Sequence, residues 1–351
     1  MKKIHISADR EYDVLLDVDS QSFIQELSAK RTRVAIFFSE KMRDSIPVFA
    51  ASDAEFFYFP IPDGEAGKSA TVLTQSWNWL GAAGFTRDDL IIGIGGGAVT
   101  DFAGFAAASW LRGIDWVAVP TTVAGMVDAS IGGKTGINSD YGKNLIGAFY
   151  SPISVIIDPQ WLTTLSDRDF AAGLAEVIKC GFIRDGQILK LMRGKSLSDL
   201  RDNRALTLEL IERSVLVKAD VVSGDFKESF DREILNYGHT FGHAVESNSN
   251  YSLRHGECIA IGMAFIAHLA AETGVMSPAL VGEHLAILKN LGLPTSYSQS
   301  QWPELLASMK LDKKSRGNTL RFVVISEVGK TQRLENPNES ALISAYEKVS
   351  Q

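Results

Sequence analysis

Cysteine is nearly absent from this chain: 351 residues include only Cys180 and Cys258, with no Cys-x-x-Cys spacing. A disulfide framework is therefore not expected, and a reducing cytosol is the default compartment. Long apolar runs are missing as well. No stretch is long enough to span a bilayer, and the start, Met1-Lys-Lys-Ile-His5, runs directly into a strand-like pattern, so neither a membrane span nor a signal peptide is expected. Positive charge is not in excess. A net charge of −7 argues against nucleic acid or an anionic membrane surface as partner. It leaves room for an acidic small molecule, because a local Lys/Arg cluster can outweigh the global balance. Repeats and low-complexity linkers are also lacking, so any domain boundary has to be a change of architecture.

What is present is an ordinary globular composition, 45% hydrophobic and 22% charged, with length enough for two domains. The first half alternates strand and helix signals. Arg33-Val-Ala-Ile-Phe-Phe38, Asp89-Leu-Ile-Ile-Gly-Ile94, Trp116-Val-Ala-Val119 and Ser154-Val-Ile-Ile157 read as buried strands. Ser69 to Leu80 and Ala98 to Leu111 read as helices between them. Such alternation predicts a parallel sheet wrapped by helices. The character changes at Asp158-Pro159, which divides the chain into expected domains of residues 1–158 and 159–351. Beyond it, Ser166-Asp-Arg-Asp169 opens a helix with acidic residues in its first turn. Ala171, Leu174, Ala175 and Ile178 continue that helix. Leu206 to Val222, Ile234 to Ser247, Glu257 to Thr273 and Pro278 to Leu291 are further helices, and Leu320 to Ile325 contributes to a short strand pair.

Three segments carry chemistry. Ile91-Ile-Gly93-Ile-Gly95-Gly96-Gly97-Ala-Val-Thr100-Asp101 follows a strand and opens a helix. Glycines there permit positive φ and close backbone approach to a ligand, and a helix N-terminus favours pyrophosphate. The GxGxxG spacing is not met. A tight turn without ligand is the plainer reading, but three consecutive glycines exceed its needs and favour a nucleotide. Asp63-Gly-Glu65-Ala-Gly-Lys68 and Pro120-Thr121-Thr122 also follow strands and belong to the same crevice. Second, Asp128-Ala-Ser-Ile-Gly132-Gly133-Lys134 to Asn138 and Gly142-Lys143-Asn144-Leu-Ile-Gly147 concentrate Gly, Lys, Asn and Asp. This stretch is either a solvated loop or a phosphate grip, and it does not match GxxxxGK[ST]. Third, Arg232-Glu-Ile-Leu-Asn236-Tyr-Gly-His239-Thr-Phe-Gly-His243-Ala-Val-Glu246 is followed by His255-Gly-Glu257. It holds three of the six histidines beside carboxylates, an Arg and an Asn. That composition suits a divalent metal and an anionic substrate. Spacing alone pairs His239 with His243 at i and i+4, as ligands or as one helix face.

These motifs, in this order, resemble the 3-dehydroquinate synthase family within the sugar phosphate cyclases. Leu111-Arg-Gly113, Gly173-Leu-Ala-Glu-Val-Ile-Lys179, Lys218, Glu228 and Asp312-Lys-Lys314 add to the match, which covers nearly the whole chain. The resemblance implies an α/β, Rossmann-like N-terminal NAD domain with a parallel sheet and a mainly α-helical C-terminal metal-binding domain. It also implies a homodimer in the cytoplasm. The implied metal ligands are Glu176, His239 and His255, for zinc or cobalt, with His243 moved to a phosphate-contacting, proton-handling role. The implied reaction belongs to the shikimate pathway of aromatic amino acid biosynthesis and takes 3-deoxy-D-arabino-heptulosonate 7-phosphate to 3-dehydroquinate and phosphate. It proceeds by transient oxidation with NAD⁺, phosphate elimination, re-reduction, ring opening and intramolecular aldol closure.

By the same resemblance, Lys134, Asn144, Asn236, His243 and one of Lys313 and Lys314 grip the phosphate, with Arg112 reaching it from the neighbouring subunit. Lys218 and Arg232 meet the substrate carboxylate. Asp128 and Lys179 contact ring hydroxyls, and Glu228 supports proton movement. Asp63, Glu65, Lys68, Gly96, Gly97, Asp101, Thr121, Thr122, Lys134, Lys143, Thr163 and Thr164 hold NAD. Two departures stand out. Thr100 occupies a position where many members carry glycine, and Trp161-Leu-Thr-Thr-Leu-Ser166 replaces a more usual Leu-Lys-Thr-Leu-Pro. A cyclase for sedoheptulose 7-phosphate is the nearest rival, but that substrate has no carboxylate for Lys218 and Arg232. A metal-dependent polyol dehydrogenase would release NADH and has no use for the cationic grips. A degenerate NAD- and metal-binding regulator would not need intact substrate positions.

Overall fold

The computed structural model describes residues 1–49, 54–225, 231–314 and 319–350, with side chains at all of these except 231 and 311–314. The chain divides into two compact units. Unit 1 comprises Met1–Leu165 and Lys218–Lys227; unit 2 comprises Ser166–Val217 and Glu228–Gln351.

The described residues of unit 1 form strands β1 (Lys2–Ile6), β2 (Tyr12–Leu16), β3 (Arg33–Ser39), β4 (Glu55–Ile61), β5 (Leu90–Gly95), β6 (Asp115–Pro120), β7 (Lys134–Ser139), β8 (Gly142–Phe149) and β9 (Ser154–Ile157). Its helices are α1 (Ser20–Ser28), α2 (Ala70–Ala82) and α3 (Gly97–Ser109). Seven strands make one sheet in the order β1-β2-β9-β6-β5-β3-β4, and β7 pairs with β8 as a separate hairpin. Within the large sheet only β1 and β2 run antiparallel. Val34, Ile36 and Phe38 of β3 join Ile92, Ile94, Val117, Val119 and Ile156 in a core on one face. Phe37, one residue out of step, points to the other face and meets Phe59, Trp79 and Phe102. A strand buried on both faces needs an unbroken apolar run, which is why β3, β5, β6 and β9 are readable from sequence. The chain passes from β3 out to β4, returns to β5 on the other side of β3, and continues to β6. The strand order therefore reverses between β3 and β5, where open α/β sheets take their ligands at the strand C-termini. Ser39 and Gly95 end those two strands.

The division between units falls after Leu165, not at 158. Asp158 accepts hydrogen bonds from the backbone N–H and hydroxyl of Ser20 at 2.9 and 2.8 Å, and Trp161 Nε1 donates to Ser20 Oγ at 3.1 Å. These bonds hold the 3₁₀ turn Pro159–Thr164 on unit 1. Ser166 then caps the next helix by accepting from the Asp169 N–H.

Unit 2 is mainly helical: α4 (Asp167–Ile183), α5 (Gly186–Met192), α6 (Leu197–Arg201), α7 (Arg204–Gly224), α8 (His239–Asn248), α9 (His255–Glu272), α10 (Pro278–Asn290), α11 (Trp302–Lys314) and α12 (Glu339–Val349), with the strand pair β10 (Arg321–Glu327) and β11 (Lys330–Glu335). The last turns of α7, from Lys218, count with unit 1. Helix α9 is buried at almost every position from Gly256 to Ala270 because α4, α8, α10 and α12 surround it.

Two helix limits differ from the periodicity. The helix expected from Ile234 begins at His239. Asp231–Asn236 is a separate 3₁₀ turn, and Gly238, at φ 78°, breaks the path between them. The helix expected to reach Leu111 ends at Ser109, because Leu111 and Arg112 adopt left-handed φ values of 50° and 66°.

Candidate active site

The glycine turn joins β5 to α3 in unit 1. None of Gly93, Gly95, Gly96 and Gly97 has a positive φ. The positive φ that glycine permits is not used there, and close packing accounts for the glycines. A Cβ on Gly95 would stand 2.5 Å from Val99 Cγ2, and one on Gly97 would stand 2.8 Å from Ala129 Cβ. Gly96 caps α3 without a side-chain hydrogen bond, and the Val99 and Thr100 amides turn back to its carbonyl. The first amides of α3 thus remain as donors for an anion, which fits a dinucleotide pyrophosphate. Thr100, the departure from the family pattern, donates its hydroxyl to Gly97 O at 3.0 Å and is absorbed inside the helix. Thr121 is buried with its N–H on Gly95 O, while Thr122 Oγ1 accepts from the Gly125 N–H at 3.0 Å. At the ends of β3 and β4, Asp63 accepts from Ser39 Oγ at 2.7 Å and pairs with Lys41 at 2.6 Å. Thr163 and Thr164 are exposed, and their hydroxyls donate to Gln160 O and Trp161 O.

The polar stretch read as loop or grip is the β7–β8 hairpin. It assembles a charged cluster with the Asp63–Lys68 motif. Lys68, 2% exposed, donates to Asp101 Oδ2 at 2.6 Å and to Asn144 Oδ1. Asn138 Nδ2 donates to Glu65 Oε2 at 2.6 Å, its Oδ1 accepts from the Asn144 N–H at 3.0 Å, and Lys143 stands 3.3 Å from Glu65. Burial opposes ionisation of Glu65, but Lys68 and Lys143 outweigh it and lower the pKa. Burial wins at Asp101 and raises its pKa in spite of Lys68. Asn138 belongs to this cluster, although spacing gave it no role. A π turn at Gly125–Ala129 carries Asp128, whose carboxylate and carbonyl both accept from Lys218 Nζ; the carboxylate contact is 2.6 Å. Lys134 and Arg112 are exposed.

In unit 2, glycines bring three helices close enough to build a candidate metal site. A Cβ on Gly256 would fall 1.7 Å from Ala172 O, so the first turn of α9 lies directly against α4. A Cβ on Gly262 would fall 1.9 Å from Gly238 O, and one on Gly242 would fall 2.9 Å from Cys258 O, so α8 lies as close to α9. His255 at the start of α9, His239 at the start of α8 and Glu176 in α4 are thereby gathered. Their ligand atoms lie within 4.8 Å of one another. His255 Nε2 is 3.3 Å and His239 Nε2 is 3.5 Å from Glu176 Oε1. Tetrahedral bonds of about 2.0–2.1 Å set ligand atoms about 3.3–3.4 Å apart, so this donor set fits zinc. His239 Nδ1 donates to Tyr237 O at 3.0 Å, which leaves Nε2 bare for a cation. His255 Nδ1 lies 3.5 Å from Glu246 Oε2.

Without an ion, burial, helped by Lys179, pushes the His239 pKa down to about 3. Burial opposes the charge on His255 too, but Glu176 and Glu246 outweigh it and raise its pKa to about 10. Lys179, itself buried, pairs with Glu176 Oε2. His243, the partner suggested by i,i+4 spacing, is exposed; its ring centroid lies 5.2 Å from that of His239 and 5.9 Å from that of His255. It falls in a second group with Glu246 and His255. Glu246 closes the histidine-rich segment but was given no role of its own in the sequence reading; its position three residues after His243 is the signal that could have found it. Arg232 is 2% exposed, and Asn236 Nδ2 is buried without a hydrogen-bond acceptor among the described residues. Glu228 and the side chains of Lys313 and Lys314 lie outside the described residues.

Known proteins match this chain over nearly its whole length. The model of the 3-dehydroquinate synthase N-terminal family matches residues 58–172, and that of the C-terminal family matches residues 173–315. A 3-dehydroquinate synthase of Thermobifida fusca is 48% identical over 344 residues, covering 97% of this chain and 94% of that protein. Among solved structures, 2-epi-5-epi-valiolone synthase of Streptomyces hygroscopicus with NAD⁺ and Zn²⁺ bound superposes with a TM-score of 0.88 at 25% identity, covering 96% of each chain. A 2-deoxy-scyllo-inosose synthase complexed with carbaglucose-6-phosphate, NAD⁺ and Co²⁺ gives 0.83 at 25%, covering 98% of each. With both halves matched and near-half identity across almost all of its length, the chain belongs to the 3-dehydroquinate synthase family.

Proposed function

We propose that the chain converts 3-deoxy-D-arabino-heptulosonate 7-phosphate to 3-dehydroquinate and phosphate. The observation that carries this reading is the grade of likeness. Identity is 48% with a 3-dehydroquinate synthase but 25% with solved cyclases named for other products. When bound, NAD⁺ takes up and returns a substrate hydride, and zinc or cobalt lowers the proton affinity of the oxygens it meets.

The chain's own residues supply the rest. In unit 1, the α3 N-terminus with Gly96, Gly97, Thr121 and Thr122 holds the dinucleotide phosphates. Asp63, Glu65, Lys68, Asp101, Lys143, Thr163 and Thr164 complete its contacts. Lys134 and Asn144 grip the substrate phosphate, Asp128 orders hydroxyls, and Lys218 meets the carboxylate once it exchanges its bond to Asp128. In unit 2, Glu176, His239 and His255 hold the ion, and Lys179 Nζ donates to a ring hydroxyl. Arg232 presents a buried planar fork that matches a carboxylate, where a lysine would not substitute. The unmatched donor on Asn236 suits a phosphate oxygen, and His243 exchanges a proton at its exposed imidazole. A homodimer, with Arg112 reaching into the neighbouring subunit, and a cytoplasmic location complete the proposal. Among the described residues no helix is long and apolar enough to cross a membrane.

The test is phosphate release by the zinc-loaded protein with NAD⁺, using 3-deoxy-D-arabino-heptulosonate 7-phosphate and sedoheptulose 7-phosphate in parallel while nicotinamide absorbance is followed. Catalytic release with the first substrate alone, and no net NADH, is the expected result. Release with sedoheptulose 7-phosphate would move the chain to a sister cyclase; NADH accumulating without phosphate would move it to a dehydrogenase.

A further inference from the structure

Behind His239 runs a buried polar chain for which the proposed reaction has no direct use. His284, fully buried on α10, places Nδ1 2.7 Å from Leu280 O and Nε2 2.8 Å from the Tyr237 hydroxyl. A carbonyl can only accept, so Nδ1 carries the hydrogen. Burial pushes the His284 pKa down to about 4, which keeps the ring neutral and Nε2 bare. With the hydrogen on Nδ1, Nε2 can only accept, so the Tyr237 hydroxyl is the donor. The donor and acceptor of both His284 hydrogen bonds are therefore fixed, and the covalent frame of Tyr237 joins them to its backbone. The far end of the chain is the Tyr237 carbonyl, which accepts from His239 Nδ1 at 3.0 Å.

We infer that Tyr237 and His284 are positioning residues for His239: by anchoring the Tyr237 side chain they hold in place the Tyr237 carbonyl, whose bond to Nδ1 sets the ring direction that presents Nε2 to the metal. The inference rests on reading Glu176, His239 and His255 as the metal site. Two further observations support it. The Phe182 ring stacks on His284 with centroids 3.5 Å apart and planes within 6°, so the anchor cannot rotate without breaking that contact. Gly238, between Tyr237 and His239, sits at φ 78°, and a Cβ there would meet Met263 Cγ at 2.9 Å and Met263 N at 3.0 Å. The backbone that carries the accepting carbonyl is thus held on one side by α9 and on the other by the Tyr237 side chain. For packing alone, phenylalanine and leucine would fill the same space without the cost of burying polar groups. A carbonyl that accepts from the second nitrogen of a ligand histidine is the arrangement that orients metal-bound histidines, and the buried Tyr237–His284 bond anchors the residue that carries it.

Zinc dissociation constants from chelator competition decide the matter, measured on the full chain for wild type, Tyr237→Phe, His284→Leu, His284→Gln and His239→Ala, with metal-free melting temperatures alongside. Tyr237→Phe and His284→Leu are expected to bind zinc about tenfold more weakly than wild type. His284→Gln, whose amide can donate to Leu280 O and accept from Tyr237, is expected to stay near wild type. If Tyr237→Phe and His284→Leu hold zinc as tightly as wild type, whatever their melting temperatures, the chain is only structural and the inference falls. His284→Gln losing as much as His284→Leu also counts against it. Should Tyr237→Phe fail to fold, the two His284 variants carry the comparison. A wild type that binds zinc no better than His239→Ala overturns the metal-site reading itself, which is a different failure.

Discussion

At the scale of single residues, the metal-binding and anion-binding roles proposed for unit 2 fall on different side chains. His255 contributes Nε2 beside Glu176, whereas Arg232 belongs to the turn before α8 and is not among the clustered ligand atoms. His255→Ala should therefore lose zinc by elemental analysis, at any substrate concentration. Arg232→Ala should keep a full metal complement while kcat/KM falls by about 10²-fold or more, since a charged bidentate contact of about 3 kcal/mol is removed. Full metal in the His255 variant would sink the ligand assignment. A second residue-scale expectation concerns Asp115, which binds Arg10 at 2.7 Å and Arg31 at 2.6 Å. Burial works to raise its pKa, but the two guanidinium groups outweigh burial and lower it. Folding therefore favours the ionised form. That contribution is complete above the ordinary aspartate value of about 3.9 and is lost as pH falls through the depressed folded value. Partial exposure limits it to about 1 kcal/mol. Asp115→Asn should lower denaturant stability by that order at neutral pH, and the two proteins should converge in acid. A constant gap across pH would show that packing, not charge, is responsible. Neither this ion-pair cluster nor the grouping of the three candidate ligands was legible from spacing. Spacing offers only neighbours on one helix, so it selected His243 beside His239; His255 starts a different helix and Glu176 lies in a third.

At the scale of elements, the legible parts are those buried on one face or on two. β3, β5, β6 and β9 show as apolar runs, and α4, α7, α9 and α10 as helical patterns. The β7–β8 hairpin stayed hidden because its strands consist largely of Gly, Lys and Asn and pair only with each other. β4 was missed although it is aromatic; it lies at the sheet edge, where most of its residues are half-buried and the alternation blurs. The break before α8 was hidden because Gly238 interrupts an apolar periodicity that continues past it. Helix-to-helix distance is also invisible in a periodic pattern, and here it decides the site. Gly256→Ala would put a methyl group 1.7 Å from Ala172 O, and no flexible side chain is there to yield. We expect α9 to be pushed off α4, stability to fall by about 2–4 kcal/mol, and zinc affinity to drop by more than tenfold. Gly282→Ala in α10 is the contrast. That glycine is exposed with nothing within 4 Å of the added Cβ, so alanine should stabilise the protein by up to about 1 kcal/mol and leave zinc binding alone. Equal behaviour of the two variants in denaturant and chelator titrations would contradict the close-approach account.

At the scale of the whole molecule, the change of architecture past Asp158 was readable because a strand-rich half gives way to helices. The return of Lys218–Lys227 to unit 1 was not, since α7 runs unbroken from Arg204 to Gly224 and its period does not mark where one unit ends. The division has a thermodynamic consequence. All three proposed metal ligands, Glu176, His239 and His255, lie in unit 2, whereas the glycine turn and uncapped α3 N-terminus lie in unit 1. A ligand stabilises what it binds by RT ln(1 + [L]/Kd), about 2.7 kcal/mol at a hundredfold excess over Kd. Zinc and NAD⁺ should therefore protect different parts of one chain. Hydrogen exchange followed by mass spectrometry is the measurement. Removing zinc with a chelator should speed exchange in α4, α8 and α9 by up to about a hundredfold where opening exposes the ligands, and leave β3, β5 and β6 unchanged. Adding NAD⁺ to the metal-free protein should slow exchange around β5 and α3 and leave α8 and α9 as they were. Protection by zinc in β5, or by NAD⁺ in α9, would mean that the units unfold as one body and that neither ligand acts through its own unit alone.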